Sequence, residues 1–240
     1  MLVPAMGPNY LPDWDALDQL GALGVIDVAW ADMEHGPTMW RELGDFSRVC
    51  DLWGMTSLVR VTSNDPAVIG RTLDRGVQSV LVPHVNTRDD AERAVAAAYY
   101  APAGSRGVSG TRQAFGVSDY YHKANDEVMV VLNIEEVEAV RNLPEILKVD
   151  GVDCLLVAPM DLGQSMGPQY LGQMFNADVQ ALVREAVATI VAAGRSAGTV
   201  VNSDNVEDYL KLGVRFLRFS TQAYIEEGLR NFHKRIDAAL

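Results

Sequence analysis

Short apolar runs alternate with amphipathic stretches along the whole chain, and this alternation constrains the fold more than any other feature. Eight runs have the length and composition of buried strands: Leu2–Met6, Val25–Ala31, Thr56–Val61, Ser79–Val82, Val128–Ile134, Cys154–Val157, Ser196–Val201 and Phe216–Ser220. Eight helix-like stretches follow them in turn: Trp14–Leu23, Met39–Cys50, Ala67–Arg75, Asp89–Tyr100, Ala139–Leu147, Asp178–Ala193, Asn205–Lys211 and Tyr224–Ala239. The pattern predicts an α/β protein with a closed (β/α)8 TIM barrel. A doubly wound open sheet is the alternative, but the sequence has no G-x-G-x-x-G motif and no P-loop.

Size and charge narrow the classes of function. The 240 residues show no shift in composition that would mark a boundary, so we expect a single domain over 1–240. A net charge of −12 argues against a nucleic-acid partner. No apolar stretch approaches the ~18 residues of a membrane span, so no membrane partner is expected. The N-terminus does not read as a signal peptide, and Cys50 and Cys154 read as reduced core thiols, which together predict a cytoplasmic protein.

Carboxylates stand where two successive apolar runs stop. Glu135 follows the fifth run and Asp161 follows the sixth. The C-terminal ends of barrel strands meet at one mouth, so these two acids could hold a hard divalent cation such as Mg²⁺ or Mn²⁺. Helix capping is the alternative, because Glu135 precedes a helical stretch and Asp161 opens a turn. We also expect an insertion over 162–176 on the same face of the barrel.

Further polar candidates end the second and third runs. Asp32, Glu34 and His35 follow the second run, and a histidine beside acids can act as a general base directly or through a water. A loop histidine bonded to the main chain would give the same pattern. Arg60 ends the third run, where a buried arginine needs an anionic partner. That partner could be an internal acid, a substrate carboxylate or an enolate.

Two more polar residues and one long loop could also take part in binding. His84 and Arg218 interrupt otherwise apolar runs, and Arg218 could point into the mouth or outward between helices. We expect the segment 101–127, which is long and carries several glycines, to lie over the mouth. Arg106 and Arg112 in that segment could then bind a second anionic group of a substrate, or they could be solvated.

Several segments together resemble the HpcH/HpaI aldolase family. They keep the family's order and approximate spacing from about residue 24 to about residue 213. The segments are Asp32–Pro37, Arg60 with Asn64–Pro66, Pro102–Gly107, Lys123–Asp126, Ile134-Glu135, and Ala158–Leu162 followed by Gly167. Each motif is weak alone, whereas the set is specific to the family and much less specific to any one substrate.

The resemblance implies a (β/α)8 barrel that performs divalent-metal-dependent aldol chemistry. The reaction would reversibly cleave a 4-hydroxy-2-oxo acid to pyruvate, or a similar 2-oxo acid, and an aldehyde through an enolate bound to the metal. Glu135 and Asp161 would ligate the cation, which could be Mg²⁺, Mn²⁺ or Co²⁺. Arg60 would hold the pyruvyl oxygens and the enolate. The C-terminal helix would be exchanged between subunits, which would give a homo-oligomer, a hexamer built as a trimer of dimers.

The remaining roles also follow from the resemblance. His35, oriented by Asp32, would transfer protons through water, and Glu34 and His84 would support the residues that touch the substrate. Asn133 stands where the family usually has Gln and would contact bound pyruvate, as would Pro159 and Met160, which lie beside Asp161.

This sequence departs from the family pattern near the acceptor side of the predicted site. Met160 replaces a small residue, His84 stands where Met is common, and Arg218 is unusual in the eighth strand. The aldehyde therefore stays open. The same residues also leave room for a related acyl-CoA lyase or an oxaloacetate decarboxylase, and a metal-free binding protein on a barrel scaffold is a third class. No lysine ends a strand, which argues against an aldolase that works through a Schiff base.

Overall fold

Eight parallel strands form the centre of the molecule in the computed structural model, which describes residues 3–6 and 14–239. Each strand hydrogen-bonds to its neighbours in chain order, and the first strand pairs with both the second and the eighth. This last pairing closes the sheet into a barrel. The strands are β1 Val3–Met6, β2 Val28–Asp32, β3 Thr56–Arg60, β4 Ser79–Val82, β5 Met129–Ile134, β6 Cys154–Val157, β7 Ala197–Val200 and β8 Phe216–Phe219.

The predicted α/β class is confirmed, and each strand falls within or beside the apolar run that predicted it. The predicted first run began at Leu2, which lies outside the described residues. Ten helices accompany the strands in the described part of the chain: α1 Trp14–Gly21, α2 Leu43–Trp53, α3 Pro66–Asp74, α4 Arg88–Ala98, α5 Tyr120–Glu127, α6 Val137–Ile146, α7 Pro159–Met166, α8 Ala177–Ala192, α9 Val206–Leu212 and α10 Thr221–Asp237.

Local sequence explains where several helices begin. Asp65 accepts hydrogen bonds from the main-chain N–H groups of Ala67 and Val68, and Pro66 occupies the first turn of α3. Thr87 and Asp90 form a reciprocal capping box at the start of α4. Such caps satisfy main-chain donors that have no partner within the helix. These caps also fix the start of each helix that follows a strand. The candidate site residues lie at the ends of those strands.

The prediction for the segment 101–127 is wrong. The segment follows helix α4 and leads into β5, so it returns the chain to the N-terminal end of the barrel, opposite the predicted mouth. Arg106 pairs there with Asp74 at 2.8 Å, and Gln113 donates to the carbonyl of Gly76 before β4. Arg112 likewise pairs with an acid of α2 rather than facing a substrate.

Two segments that the sequence pattern left as loops contain helices. Tyr120–Glu127 forms α5 within the long segment, and Pro159–Met166 forms α7 where an insertion was expected. Proline at the first position of α7 suits a helix start, because its missing N–H would have no partner there. As a result Asp161 lies in the first turn of a helix rather than in a turn.

The barrel interior is a separate apolar cluster from the layer between strands and helices. It contains Ala5, Val28, Trp30, Leu58, Leu81, Val131, Cys154, Leu156 and Phe216. The two cysteines are both buried free thiols, as predicted. Across residues 3–6 and 14–239, no helix is long and apolar enough to cross a lipid bilayer.

Gly198 in β7 tests how tightly the interior is packed. A Cβ atom there would lie 2.8 Å from Leu156 Cδ1 and 3.1 Å from Phe216 Cβ. Gly198→Ala should therefore lower the free energy of unfolding by about 1–3 kcal/mol through overpacking. Gly70→Ala is the matched control. Gly70 lies in α3, and apart from the adjacent backbone of that helix its new Cβ would meet none of the described atoms within 4 Å, so the substitution should stabilise by about 0.4–1 kcal/mol. Urea unfolding measures both, and equal effects would contradict the packing.

Candidate active site

A buried ion pair joins the ends of β2 and β3. Asp32 and Arg60 are direct neighbours in the strand register. Arg60 Nε donates to Asp32 Oδ1 at 2.9 Å, and Arg60 Nη2 donates to the other carboxylate oxygen. Arg60 Nη1 also lies 2.9 Å from Glu34 Oε2. Burial lowers the pKa of Arg60, but the hydrogen bond and charge of Asp32, followed by the charges of Glu34 and Glu135, raise it above its ordinary value.

The turn after β2 is organised by the same carboxylate. Asp32 Oδ1 accepts the main-chain N–H of Glu34 at 3.0 Å and that of His35 at 3.4 Å. Gly36 is required in this turn, because a Cβ atom there would lie 2.5 Å from the Asp32 carbonyl oxygen. The His35 side chain is exposed. Its contact with Asp32 thus runs through the main chain, and the predicted orientation of its ring by Asp32 stays a prediction.

Glu135 is a deeply buried carboxylate at the end of β5. It is 1% exposed, and it accepts the His84 main-chain N–H at 2.7 Å and the Asn133 Nδ2 amide at 2.8 Å. Burial raises its pKa to about 7; the His84 hydrogen bond opposes this shift, and the charge of Asp161 adds to it. The capping alternative does not hold for Glu135, because Glu136 occupies the N-cap position of α6.

His84 lies two residues after the end of β4, and its side chain is near three acids. Its backbone has a positive φ of 55°, a conformation rare for residues other than glycine. Nδ1 lies 2.9 Å from Glu136 Oε1, and Nε2 lies 3.4 Å from Glu34 Oε1. Burial lowers the pKa of His84, but the Glu136 hydrogen bond and the charges of Glu135 and Glu34 raise it above its ordinary value. Sequence reasoning missed Glu136, whose only signal was its place beside Glu135.

The α7 N-terminus brings Asp161 to the same mouth. Pro159 is buried, Asp161 is partly exposed, and Met160 is 46% exposed. Asp161 is close enough to Glu135 for its charge to raise the Glu135 pKa. The main-chain N–H groups at a helix N-terminus attract anions, so this end of α7 suits the carboxylate of a ligand. A cation would instead be bound by the two acids, Glu135 and Asp161.

The donor set at this mouth fits a divalent cation. Two carboxylates, Glu135 and Asp161, repel each other in a region of low solvent exposure. Asn133 Oδ1 beside them is buried and has no hydrogen-bond partner among residues 3–6 and 14–239. Within those same ranges, no group of three or more His, Cys, Asp or Glu side chains is arranged to hold a metal. A cation here would therefore take two protein carboxylates and keep positions for water and substrate.

Trp30 was not assigned to the site by sequence reasoning, whereas Arg218 was a candidate whose direction was left open. Trp30 lies on the inner face of β2, and the guanidinium carbons of Arg60 and Arg218 lie 5.6 Å and 5.5 Å from its ring centroid. Arg218 therefore points into the barrel, which settles the choice between inward and outward. The signal for Trp30 was its spacing of two residues before Asp32, which places both on one face of the strand.

The Asp32–Arg60 pair should make a large contribution to the stability of the fold. Arg60→Met leaves two buried acids without their cation, so we expect the free energy of unfolding to fall by about 3–5 kcal/mol. The double variant Asp32→Asn with Arg60→Met should lose less than the sum of the single losses. Arg88→Met, which breaks a 2.7 Å surface pair with Glu92, is the matched control and should stay near wild type in urea unfolding. Strict additivity of the two buried substitutions would contradict the coupling.

Comparison with known proteins places this geometry in a family. The chain is 37% identical over 197 residues to a 4-hydroxy-2-oxo-heptane-1,7-dioate aldolase of Shigella flexneri, covering 80% of this chain and 73% of that protein. It is 36% identical over 201 residues to a 2-dehydro-3,6-dideoxy-6-sulfogluconate aldolase of Pseudomonas putida, covering 81% and 78%.

A solved structure has the same architecture over nearly the whole chain. The crystal structure of an HpcH/HpaI aldolase/citrate lyase family protein from Burkholderia cenocepacia J2315 superposes with a TM-score of 0.89 at 28% identity, covering 98% of this chain and 95% of that one. The family model described as HpcH/HpaI aldolase/citrate lyase matches residues 17–223. With the carboxylates, the arginine and the barrel mouth in place, the chain belongs to the HpcH/HpaI aldolase/citrate lyase family.

Proposed function

We propose that the protein is a divalent-metal-dependent aldolase that cleaves a 4-hydroxy-2-oxo acid to pyruvate, or a similar 2-oxo acid, and an aldehyde. The observation that carries this proposal is the buried Glu135 carboxylate, whose pKa is raised to about 7 by burial and by Asp161. Two acids held together in this way are stabilised by a shared cation. When bound, Mg²⁺, Mn²⁺ or Co²⁺ would act as a Lewis acid on the 2-oxo group.

Arg60 is positioned to hold the oxygens of the 2-oxo acid. A guanidinium has five N–H donors, and Asp32 and Glu34 use three of them. The remaining N–H donors belong to the Arg60 guanidinium, and the ion pair with Asp32 fixes the orientation of that guanidinium. A donor fixed before the reaction loses no orientational freedom when negative charge develops on the substrate, so it stabilises the transition state efficiently.

The other proposed contacts complete the binding of the 2-oxo acid. The main-chain N–H groups of Met160 and Asp161 favour its carboxylate at the start of α7, with the Met160 side chain beside it. The Asn133 side-chain carbonyl oxygen, which has no hydrogen-bond partner in the described part of the chain, would accept from a water or hydroxyl group at the same mouth. His35, exposed on the turn after β2, would exchange the proton between water and the aldehyde oxygen. Glu34 and His84 hold these groups in place.

The names of two relatives bear on the substrate. A heptane-1,7-dioate and a 6-sulfogluconate derivative both carry an anion at the end remote from the 2-oxo acid. We propose that this protein also acts on a substrate with a second anionic group, so that the aldehyde released is itself anionic. The alternative reactions, those of an acyl-CoA lyase or an oxaloacetate decarboxylase, would form the same enolate at the same site.

Metal removal and ligand substitution test the reaction. The wild-type enzyme should release pyruvate from 4-hydroxy-2-oxoheptane-1,7-dioate, lose this activity with EDTA and recover it with Mg²⁺ or Mn²⁺. Glu135→Gln and Asp161→Asn should each lower kcat/KM by roughly 100-fold or more, because a Lewis acid contributes several kcal/mol. Glu138→Gln, an exposed acid in the first turn of α6, is the matched control and should retain activity.

Two outcomes would contradict this assignment. Full pyruvate release by metal-free enzyme would rule out the role of the two carboxylates. Efficient release of carbon dioxide from oxaloacetate without cleavage of any 4-hydroxy-2-oxo acid would favour the decarboxylase instead.

We also propose that α10 is exchanged between two copies of the chain and that the dimers assemble into a hexamer. Every described residue of α10 after Thr221 is exposed, including a stripe of Ile225, Leu229, Phe232 and Ile236. These residues recur at intervals of four, three and four, which places them along one side of the helix. A solvated helix of this length is marginal alone, so a second copy packing on the stripe would account for it.

Adding a carboxylate on one side of α10 or the other tests the exchange. Phe232→Glu puts a carboxylate into the stripe and should shift the sedimentation profile from oligomer to monomer. Asn231→Glu adds the same charge away from the stripe and should leave the oligomer unchanged. A monomeric wild-type protein, or dissociation by both variants alike, would contradict the proposal.

A further inference from the structure

Arg218 occupies an unexpected place for a cation, inside the barrel near its mouth. It is the third residue of β8, in register with Val200 of β7 and Ala5 of β1. It shares the inner face of β8 with Phe216, which belongs to the interior cluster. Side chains along a strand alternate between faces, so Arg218 continues the inner row toward the mouth. Its side chain is partly exposed there.

The Trp30 ring lies beneath the Arg218 guanidinium, on the side of the barrel interior. Arg218 lies over the ring, whose other guanidinium neighbour is Arg60. Trp30 is 6% exposed, yet its indole Nε1–H has no hydrogen-bond partner among the described residues. A buried donor without a partner costs free energy that a bound acceptor would recover. An indole N–H beside an inward guanidinium is a pair of donors suited to an anionic oxygen.

Charge is divided unevenly around the mouth. The acids Glu34, Glu135 and Glu136 surround His84 after β4. In a closed ring of eight strands, β8 lies opposite β4, so the strand that carries Arg218 is across the barrel from the strand end that carries His84. Asp32 and Glu34 form ion pairs with Arg60 on the β2–β3 side. A second negative group on a substrate would be repelled by the β4–β5 side and attracted toward β8.

We propose that Arg218, together with the Trp30 indole N–H, binds the terminal anionic group of the substrate at the end remote from its 2-oxo acid. This inference rests on the proposed aldolase function, in which Glu135 and Asp161 anchor the 2-oxo end. Arg218 then selects dianionic substrates over monoanionic ones of the same length. The terminal group is a carboxylate or a sulfonate, since both present oxygens that accept from a guanidinium and an indole N–H.

Binding of ligands that cannot be cleaved tests this assignment without turnover. Neither 2-oxoheptanedioate nor 2-oxoheptanoate has the 4-hydroxyl group that cleavage requires. The two compounds differ only at the remote end, where the first has a carboxylate and the second a methyl group. Calorimetry with the Mg²⁺-loaded enzyme should give wild-type protein a preference for the dianion of roughly 10- to 100-fold in Kd, the size of a charge-assisted hydrogen bond. A third ligand, 2-oxo-6-sulfohexanoate, separates sulfonate from carboxylate recognition.

Three variants isolate the charge from the packing. Arg218→Met keeps an unbranched chain over Trp30 and should abolish the preference, with affinity for 2-oxoheptanoate unchanged. Arg218→Lys should retain part of the preference. Arg215→Met, an exposed arginine just before β8, is the matched control and should behave as wild type. The same ratios should appear in KM, with kcat little changed, for cleavage of 4-hydroxy-2-oxoheptane-1,7-dioate and 4-hydroxy-2-oxoheptanoate.

The outcomes separate the two proposals. If wild-type protein binds both ligands equally, or if Arg218→Met weakens both alike, the Arg218 assignment is wrong and the aldolase proposal stands. If wild-type protein neither binds nor cleaves any of these compounds, the proposed function fails and the assignment fails with it. Thermal melting confirms that each variant is folded.

Discussion

The ion pair between Asp32 and Arg60 organises the barrel mouth. Strand register places the two residues side by side, and burial makes their separation expensive. The same carboxylate closes the turn that carries Glu34 and His35. One aspartate thus fixes the orientation of the arginine and the path of the chain beyond β2. The pair serves structure and recognition together, because an arginine held on two sides presents its remaining donors in one direction.

An excess of negative charge is the second constraint on the mouth. Asp32, Glu34, Glu135, Glu136 and Asp161 lie there, against Arg60, Arg218 and His84. Hydrogen bonds from the His84 main chain and from Asn133 reduce the cost for Glu135 but leave its pKa near 7. Such an arrangement would be a poor choice for stability alone. It becomes reasonable if a cation completes the site, which is why the aldolase proposal accounts for these acids better than a metal-free binding protein would.

The sequence predicted most of the strands and helices, because apolar periodicity reports burial directly. It also predicted which strand ends carry acids, since the polar residues interrupt apolar runs. The prediction for 101–127 was wrong because it used the length and glycine content of the segment, which do not indicate which end of the barrel a loop covers. The position of the segment between a helix and the next strand determines that end. It missed Trp30 because a tryptophan in an apolar run looks like core. The positive φ of His84 depends on tertiary contacts that local sequence does not encode.

The residues that the resemblance marks as departures from the family pattern differ physically from Asp32, Arg60 and Glu135. Asp32, Arg60 and Glu135 are bonded to one another or to neighbouring main chain, so a change at any of them leaves a buried charge uncompensated. Met160 and His84 instead present exposed side chains at the rim, and Arg218 stacks on the Trp30 ring. Substitutions at these three places alter what the mouth can accept without disturbing the buried pair. Stability therefore constrains the part of the proposed site that would bind the 2-oxo acid. The part that would bind the aldehyde is free to diverge. Differences in substrate within such a fold should concentrate at rim positions such as Met160, His84 and Arg218.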